Sequence, residues 1–226
     1  MFETLQVAAD GRLGTLTLNR PERLNALSVQ TLEEIARAAR WFDEQPEVRA
    51  VIVGGAGRSF SAGADLQGFP RPGEAGLRHA ADAGRAMADA LENMRAVSVA
   101  CIQGWCVGGG LVVAAACDLR VAAEDARFSI PEVDLGIPLA WGGIPRLVRE
   151  IGPALTKELV ITCRPFDAAE ARTAGFLNRV VPADRLQQAA RELAEQVASK
   201  PAIPTFATKR HTNAVTVRSL ELAVIA

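Results

Sequence analysis

Strand-like and helix-like hydrophobic patterns alternate from one end of the chain to the other. Residues 13–18 (LGTLTL) alternate apolar and polar positions, which is the period of a β-strand. Apolar runs at 49–57 and 97–104, each ending in glycine, are typical of strands buried on both faces. Three shorter strands are predicted further along, at 119–123 (LRVAA), 128–130 (FSI) and 178–182 (NRVVP).

Helices are predicted between these strands. Ser28 can cap a helix that runs to about Asp43 with its apolar residues on one face. The remaining helical segments are 80–94, a helix opened by the glycines at 108–110, 144–151, 153–162, a short helix after Asp167 and 185–199. Residues 67–76 are rich in Gly and Pro and predict a loop. This alternation over 226 residues predicts one α/β domain.

Composition and charge exclude several classes of protein. The formal net charge is −1, without the basic stripe that nucleic-acid binding requires. The first residues lack the pattern of a signal peptide, and no apolar stretch reaches the length of a transmembrane helix. The four cysteines form no CxxC pair, which favours buried, reduced thiols and a cytoplasmic protein.

Glycine-rich turns occur where two buried strands run into the next segment, in SAGADL (61–66) and VGGGL (107–111). Such a turn exposes backbone N–H groups, and a helix that begins there favours negative charge. Two of these turns could direct two N–H donors at one oxygen, which would form an oxyanion hole. The alternative is that the glycines serve tight turns or close helix packing. A phosphate-binding loop lacks support, because the chain has no GxxxxGK[ST] motif.

Four segments together resemble the enoyl-CoA hydratase/isomerase (crotonase) family: NRPERLNAL, RSFSAGADL, IQGWCVGGGLVVAAACDLRVAAEDARFSIPEVDLGI and PFDAAEARTAGFLNRVV. The similarity covers about residues 13 to 210. It implies a crotonase-like spiral of ββα units in a single domain over 1–226. The core would span about 1–182. A C-terminal helical, trimerisation region would span about 183–226, which is shorter than the family usually has.

The resemblance also implies ligands and partners. The substrate would be an acyl-CoA thioester, with coenzyme A as part of the substrate, and neither a metal nor a separate cofactor is expected. The chain would form a homotrimer or a dimer of trimers. Residues 67–90 would line the acyl tunnel.

Site residues follow from the resemblance at matching motif positions. The backbone N–H groups of Ala64 and Gly109 would form the oxyanion hole. Other residues would contact CoA: Ala62, Asp65 and Leu66 along the adenine and ribose, Arg23 near the phosphates, and Lys209 as a basic residue nearby. Taken alone, Arg23 and Lys209 could equally be solvated cations, and Asp65 a cap or turn residue.

One acidic position of the family is changed. Hydratases of the family use two glutamates; the second matches Glu132, whereas the first matches Val112, which can neither give nor take a proton. Glu132 lies in an apolar stretch, which favours a raised pKa suited to a base. The family's dienoyl-CoA isomerases have an acid where this chain has Ala140.

Three functions remain open on the sequence. A single glutamate suffices to move a double bond from position 3 to position 2 of an enoyl-CoA, which is the favoured reaction. The first alternative is a 2-enoyl-CoA hydratase of fatty-acid metabolism. The second is a protein that binds acyl-CoA without chemistry.

Overall fold

The computed structural model describes residues 2–68 and 76–224. Its strands are β1 (Leu5–Asp10), β2 (Leu13–Leu18), β3 (Ala50–Gly55), β4 (Val97–Ile102), β5 (Trp105–Val107), β6 (Leu119–Ala123), β7 (Arg127–Ser129), β8 (Phe166–Asp167) and β9 (Arg179–Val181). Its α-helices are α1 (Val29–Asp43), α2 (Leu77–Asn93), α3 (Gly109–Ala116), α4 (Gly143–Thr162), α5 (Ala168–Thr173), α6 (Leu186–Ala198) and α7 (Ala202–Val224). Short 3-10 turns occupy Pro21–Arg23 and Ala183–Arg185.

Most predicted elements are confirmed, with their local causes visible. The Ser28 side chain accepts a hydrogen bond from the Thr31 amide at the start of α1, and Asp167 does the same for Glu170 at α5. The two helices predicted around residue 152 are the two halves of α4. They are separated by the non-helical Gly152, which precedes Pro153.

The hydrophobic pattern of the sequence did not predict some of the strands. Strand β1 pairs antiparallel with β2 through a turn at Gly11 and Arg12, and Gly11 has a φ of +55°. A glycine at the first position of a two-residue turn between apolar-polar segments is a hairpin signal that could have identified this strand. The three-residue β5 was also missed, and α2 begins three residues before the predicted start. Residues 69–75 of the predicted loop lie outside the described residues.

A six-stranded sheet separates two apolar cores. Its order is β1-β2-β3-β4-β6-β9, parallel throughout except for the β1–β2 pair. Alternate residues of β4 face opposite sides: Ala100 and Ile102 pack in the core that includes residues of α1, α2 and α3, whereas Val99 and Cys101 pack against α6. Both faces of the sheet are therefore covered, as parallel strands require.

A second sheet, β5-β7-β8, positions the start of α3. Strand β5 leads directly into α3, every residue of which is buried. Ser61 forms a parallel bridge to Cys106 in β5, and Leu27 forms another to Ala64. These bridges hold the loop at 61–65 against the strand that precedes α3.

Ion pairs fix the helices around α3. Arg146 of α4 contacts Asp89 and Glu92 of α2, and Arg149 contacts the same Glu92. Arg120 of β6 pairs with Glu150 of α4. One network of ion pairs therefore links α2, α4 and β6. Within the ranges 2–68 and 76–224, no helix combines the length and apolarity needed to cross a membrane.

Candidate active site

The first turn of α3 carries a free backbone donor. Gly108 precedes the helix with a φ of +47°, and its own N–H donates to the carbonyl of Ser129 at 2.9 Å. Among the described residues, the next N–H, that of Gly109, has no acceptor. A helix N-terminus adds its partial positive charge at this point.

The loop at 61–65 carries a second free donor. The Ala62 N–H donates to Leu24, and the Asp65 N–H to Leu27, but the N–H of Ala64 meets no acceptor in the described part of the chain. An added β-carbon on Gly63 would lie 2.8 Å from the Val107 carbonyl oxygen and 3.5 Å from the Gly109 nitrogen. The structure thus brings the two predicted oxyanion donors onto adjacent backbone segments.

Glu132 lies beside these donors. An added β-carbon on Gly108 would lie 3.1 Å from Cδ of Glu132 and 3.2 Å from its Oε2. Oε2 is inaccessible to solvent and has no hydrogen-bond partner among the described residues. Burial raises the pKa of Glu132, and a hydrogen bond from its own backbone amide opposes that shift only in part. The carboxyl group is therefore poised to take up a proton.

Val112 occupies a buried, apolar position one turn into α3. Its side chain is buried, and an added β-carbon on Gly143 would lie 2.8 Å from its Cγ2. Leu139 approaches the same point of Gly143. Asp134, the nearest further acid in sequence, is exposed and lies in a turn.

Sequence reasoning missed Trp141. Its indole packs against Gly109, where an added β-carbon would lie 2.8 Å from Cη2 of the ring. The residue is buried and has a φ of +58°. The available signal was a lone tryptophan followed by two glycines in a loop, and that signal names no contact partner.

Asp65 is held by two arginines. Arg20 contacts its Oδ2 at 2.8 Å and Arg23 contacts the same oxygen at 3.2 Å, while Arg23 also donates to Gln67. Burial alone would raise the pKa of Asp65, but the hydrogen bond and charge of Arg20 and the charge of Arg23 lower it below its ordinary value. Arg20 is a second residue that sequence reasoning missed.

The CoA-binding residues predicted from the sequence fall into two places. Ala62, Asp65 and Leu66 lie together beside Arg23, and Leu66 is exposed. Lys209 of α7 is instead buried: its ammonium group contacts Asp118 at 2.8 Å and donates to the Ala96 carbonyl at 3.0 Å.

The interpretation of Lys209 as a solvated cation is therefore wrong. Lys209 and Asp118 line a cleft of about 600 Å³ that includes residues of α7. The predicted role of Lys209 near CoA stays a prediction. All four cysteines are buried and free of disulfides, as predicted. Among the described residues, no cluster of three or more His, Cys, Asp or Glu side chains is placed to hold a metal ion.

Comparison with known proteins gives the family. The family model for enoyl-CoA hydratase/isomerase matches residues 9–224. This chain belongs to the enoyl-CoA hydratase/isomerase family. A probable enoyl-CoA hydratase from Mycobacterium tuberculosis is 38% identical over 216 residues, covering 94% of this chain and 82% of that protein. A short-chain-enoyl-CoA hydratase from Clostridium acetobutylicum is 35% identical, covering 90% of this chain and 78% of that protein.

Solved structures of the family share the fold. A putative enoyl-CoA hydratase/isomerase family protein from Hyphomonas neptunium aligns with a TM-score of 0.91 at 32% identity, covering 95% of this chain and 83% of that one. A putative enoyl-CoA hydratase from Thermobifida fusca, in complex with CoA, aligns with a TM-score of 0.85 at 30% identity, covering 98% of this chain and 93% of that one. The predicted crotonase-like α/β fold is confirmed.

Proposed function

We propose that this family member moves the double bond of a 3-enoyl-CoA to position 2, with Glu132 as the one acid/base group. The observation that carries the proposal is the carboxylate of Glu132: its Oε2 is inaccessible to solvent and unpartnered among the described residues, and the group lies at the start of α3 beside the free Gly109 N–H. A carboxylate oxygen shielded from solvent without a hydrogen-bond partner is costly, which points to a chemical role.

The thioester oxygen would bind between the N–H groups of Ala64 and Gly109. Ionised Glu132 then removes a proton from C2, and the electron pair delocalises onto the thioester oxygen as a dienolate. The two N–H groups and the N-terminus of α3 stabilise that negative charge; an oxyanion donor of this kind contributes roughly 3–4 kcal/mol to the transition state. Glu132 returns the proton at C4, which leaves a conjugated 2-enoyl-CoA and regenerates the carboxylate.

Val112 supports a reaction without water. Addition of water needs one group to activate it and another to protonate the substrate. The buried Val112 packs against Gly143, so its position offers neither a proton nor a hydrogen bond to a water molecule. Proton transfer through one carboxylate has no such requirement.

The test is isomerisation of a 3-enoyl-CoA by the wild type and by Glu132→Gln. We expect Glu132→Gln to lose roughly 10²–10⁴ in kcat, the usual contribution of a positioned acid/base group. Asp134→Asn is the matched control, because Asp134 is an exposed carboxylate two residues away. Unchanged turnover in Glu132→Gln would remove Glu132 from the mechanism. Binding of acyl-CoA with no turnover in the wild type would indicate a binding protein instead.

Hydration of a 2-enoyl-CoA is the second candidate, and the names of the relatives favour it. The Mycobacterium tuberculosis relative is called a probable enoyl-CoA hydratase and the Clostridium acetobutylicum relative a short-chain-enoyl-CoA hydratase. If this chain hydrates with water held by other groups, Val112→Glu should raise the hydration rate and Val112→Gln, of equal size without charge, should not. No gain in a folded Val112→Glu variant that still binds acyl-CoA would argue against this candidate.

The quaternary structure and the wider CoA contacts belong to the same proposal. The chain would form a homotrimer or a dimer of trimers, as the family resemblance implies, in the cytoplasm. Light scattering would give the mass of the assembly. Affinities of Arg23→Ala and Lys209→Met for free CoA would test the predicted phosphate and basic contacts.

A further inference from the structure

The indole of Trp141 fills the space between α2 and α3 at the point where α3 begins. Its five-membered ring lies against Gly84 of α2, so closely that any β-carbon there would collide with it. Its six-membered ring lies against Gly109 of α3, where an added β-carbon would be 2.8 Å from Cη2 and 3.1 Å from Cε3. Two glycines on two helices therefore make room for one large, flat side chain.

The backbone holds Trp141 in an unusual conformation. Its φ of +58° lies in the left-handed region, which bulky residues rarely adopt and which persists only where the surrounding structure enforces it. Arg146 donates to the carbonyls of Trp141 at 3.5 Å and Gly142 at 3.1 Å, and it is itself fixed by its ion pairs with α2. Such strained positions are concentrated at functional sites.

The location of the indole limits where an acyl chain can go. In the proposed complex the thioester oxygen meets the Gly109 N–H and the reacting carbons lie near Glu132, which touches Gly108. The indole covers Gly109, the residue that follows Gly108. An acyl chain that leaves the reacting carbons toward the crevice between α2 and α3 meets the buried ring instead of open space.

We infer that Trp141 is the specificity-determining residue of this site, and that it restricts the substrate to short acyl-CoA thioesters. This inference rests on the proposed acyl-CoA function. The flat indole face suits a planar enoyl group, whereas each further methylene of a longer chain must displace a ring that is clamped between two helices. Glycines at 84 and 109 are required because any side chain there would push the ring aside.

Binding of saturated acyl-CoAs tests the inference without relying on any reaction. Butanoyl-CoA and decanoyl-CoA are titrated into the wild type and into Trp141→Leu by calorimetry. We expect the wild type to prefer butanoyl-CoA, and Trp141→Leu to shift the ratio of affinities toward decanoyl-CoA by at least about tenfold, the low end of what one misfitted methylene costs in an apolar pocket. Trp105→Leu is the matched control, since Trp105 is 44% exposed on β5.

Substitution of Gly84 provides a second route that leaves Trp141 itself unchanged. Gly84→Ala suits the interior of α2 by helix propensity, yet its β-carbon must displace the indole. We expect it to weaken butanoyl-CoA binding in the wild type and to have no effect in a Trp141→Leu background, where the collision is gone. Gly84→Ala keeps Trp141 in place, so its effect on the affinity of the otherwise wild-type protein tests the inference even if Trp141→Leu folds poorly; unchanged butanoyl-CoA affinity in folded Gly84→Ala would count against it.

The outcomes separate this inference from the proposed function. If no acyl-CoA binds the wild type, the acyl-CoA function fails and the inference falls with it. If acyl-CoAs bind but the chain-length ratio is the same in Trp141→Leu and the wild type, only the role of Trp141 is overturned. Binding with a shifted ratio but no isomerisation would support Trp141 and reject the reaction.

Discussion

The carboxyl group of Glu132 lies against the α-carbon of Gly108, where an added β-carbon would be 3.1 Å from Cδ. Gly108 also has a φ of +47° and donates its N–H to Ser129. Position 108 therefore needs glycine for two separate reasons: the backbone conformation and the space that the carboxyl group occupies.

Gly108→Ala should abolish most of the turnover, because the methyl group displaces Glu132 from the start of α3. The control is Gly11→Ala, which has a similar φ of +55° but nothing within 4 Å of an added β-carbon. Backbone strain should cost each variant about 1–3 kcal/mol of stability. Measured kcat should fall only in Gly108→Ala; equal kcat in the two variants would mean that the Glu132 contact is irrelevant to catalysis.

Replacement of Glu132 should change how stability depends on pH. Burial raises the pKa of Glu132 in the folded protein, so the folded state binds this proton more tightly than the unfolded state does. The wild type therefore loses stability as pH rises from the ordinary carboxyl pKa through the raised one. Glu132→Gln does not titrate, and so its stability relative to the wild type should increase across that window, by about 1.4 kcal/mol for each pH unit that separates the folded and unfolded pKa values.

Urea denaturation of both proteins at about pH 4, 5, 6, 7 and 8 measures this difference. Other carboxyl groups titrate in both proteins and cancel. The kcat of the wild type should rise over the same window, since the base must be ionised to accept a proton. A stability difference that does not change with pH would show that Glu132 has an ordinary pKa.

Substitutions at Gly109 can distinguish the role of its backbone N–H from the role of the packing around it. Proline at 109 removes the N–H at the first helical position, where proline is otherwise tolerated, but its ring also meets the Trp141 indole. In a Trp141→Leu background this collision is absent. There we expect Gly109→Pro to lose roughly 10²–10³ in kcat, as for a lost oxyanion donor, and Gly109→Ala to retain activity.

Circular dichroism has to show that the Gly109 variants fold. Val112→Ala is a further comparison in the same helix: it loses buried apolar contact and some stability, yet proton transfer should persist. A folded, fully active Gly109→Pro protein would leave the glycines as a packing device.

Lys209 should stabilise the attachment of α7. Its ammonium group is paired with Asp118 and almost fully buried, and removal of one partner from such a pair typically costs about 3–5 kcal/mol. Lys209→Met should therefore lower the melting temperature clearly, whereas Arg210→Met, at the exposed neighbouring position, should not. The affinity of folded Lys209→Met for CoA tests the predicted role near CoA; a melting temperature equal to that of the wild type would contradict the stabilising role.

The elements of the fold could be predicted because each has a local cause. The alternation at 13–18, the cap at Ser28 and the glycines before α3 act within a few residues, and the structure has a strand or helix at each. The family resemblance gave Glu132, Ala64 and Gly109, but pattern alone gave only the glycine turns.

Contacts between distant segments could not be predicted. Trp141 meets Gly84 and Gly109 only after three elements have packed, and neither glycine has a side chain whose pattern marks the space. The burial of Lys209 depends in the same way on Asp118, at the far end of α3. Such pairings are set by tertiary packing, which hydrophobic periodicity does not encode.

The ratio of two rates on one enzyme preparation tests the central claim most directly: isomerisation of a short-chain 3-enoyl-CoA and hydration of the matching 2-enoyl-CoA, both followed by absorbance of the conjugated thioester. Loss of one positioned acid/base group typically lowers a rate roughly 10²–10⁴-fold. With Glu132 present and Val112 in the other acidic position, we predict that isomerisation exceeds hydration by at least about 10²-fold. Hydration as fast as isomerisation would contradict the single-glutamate account.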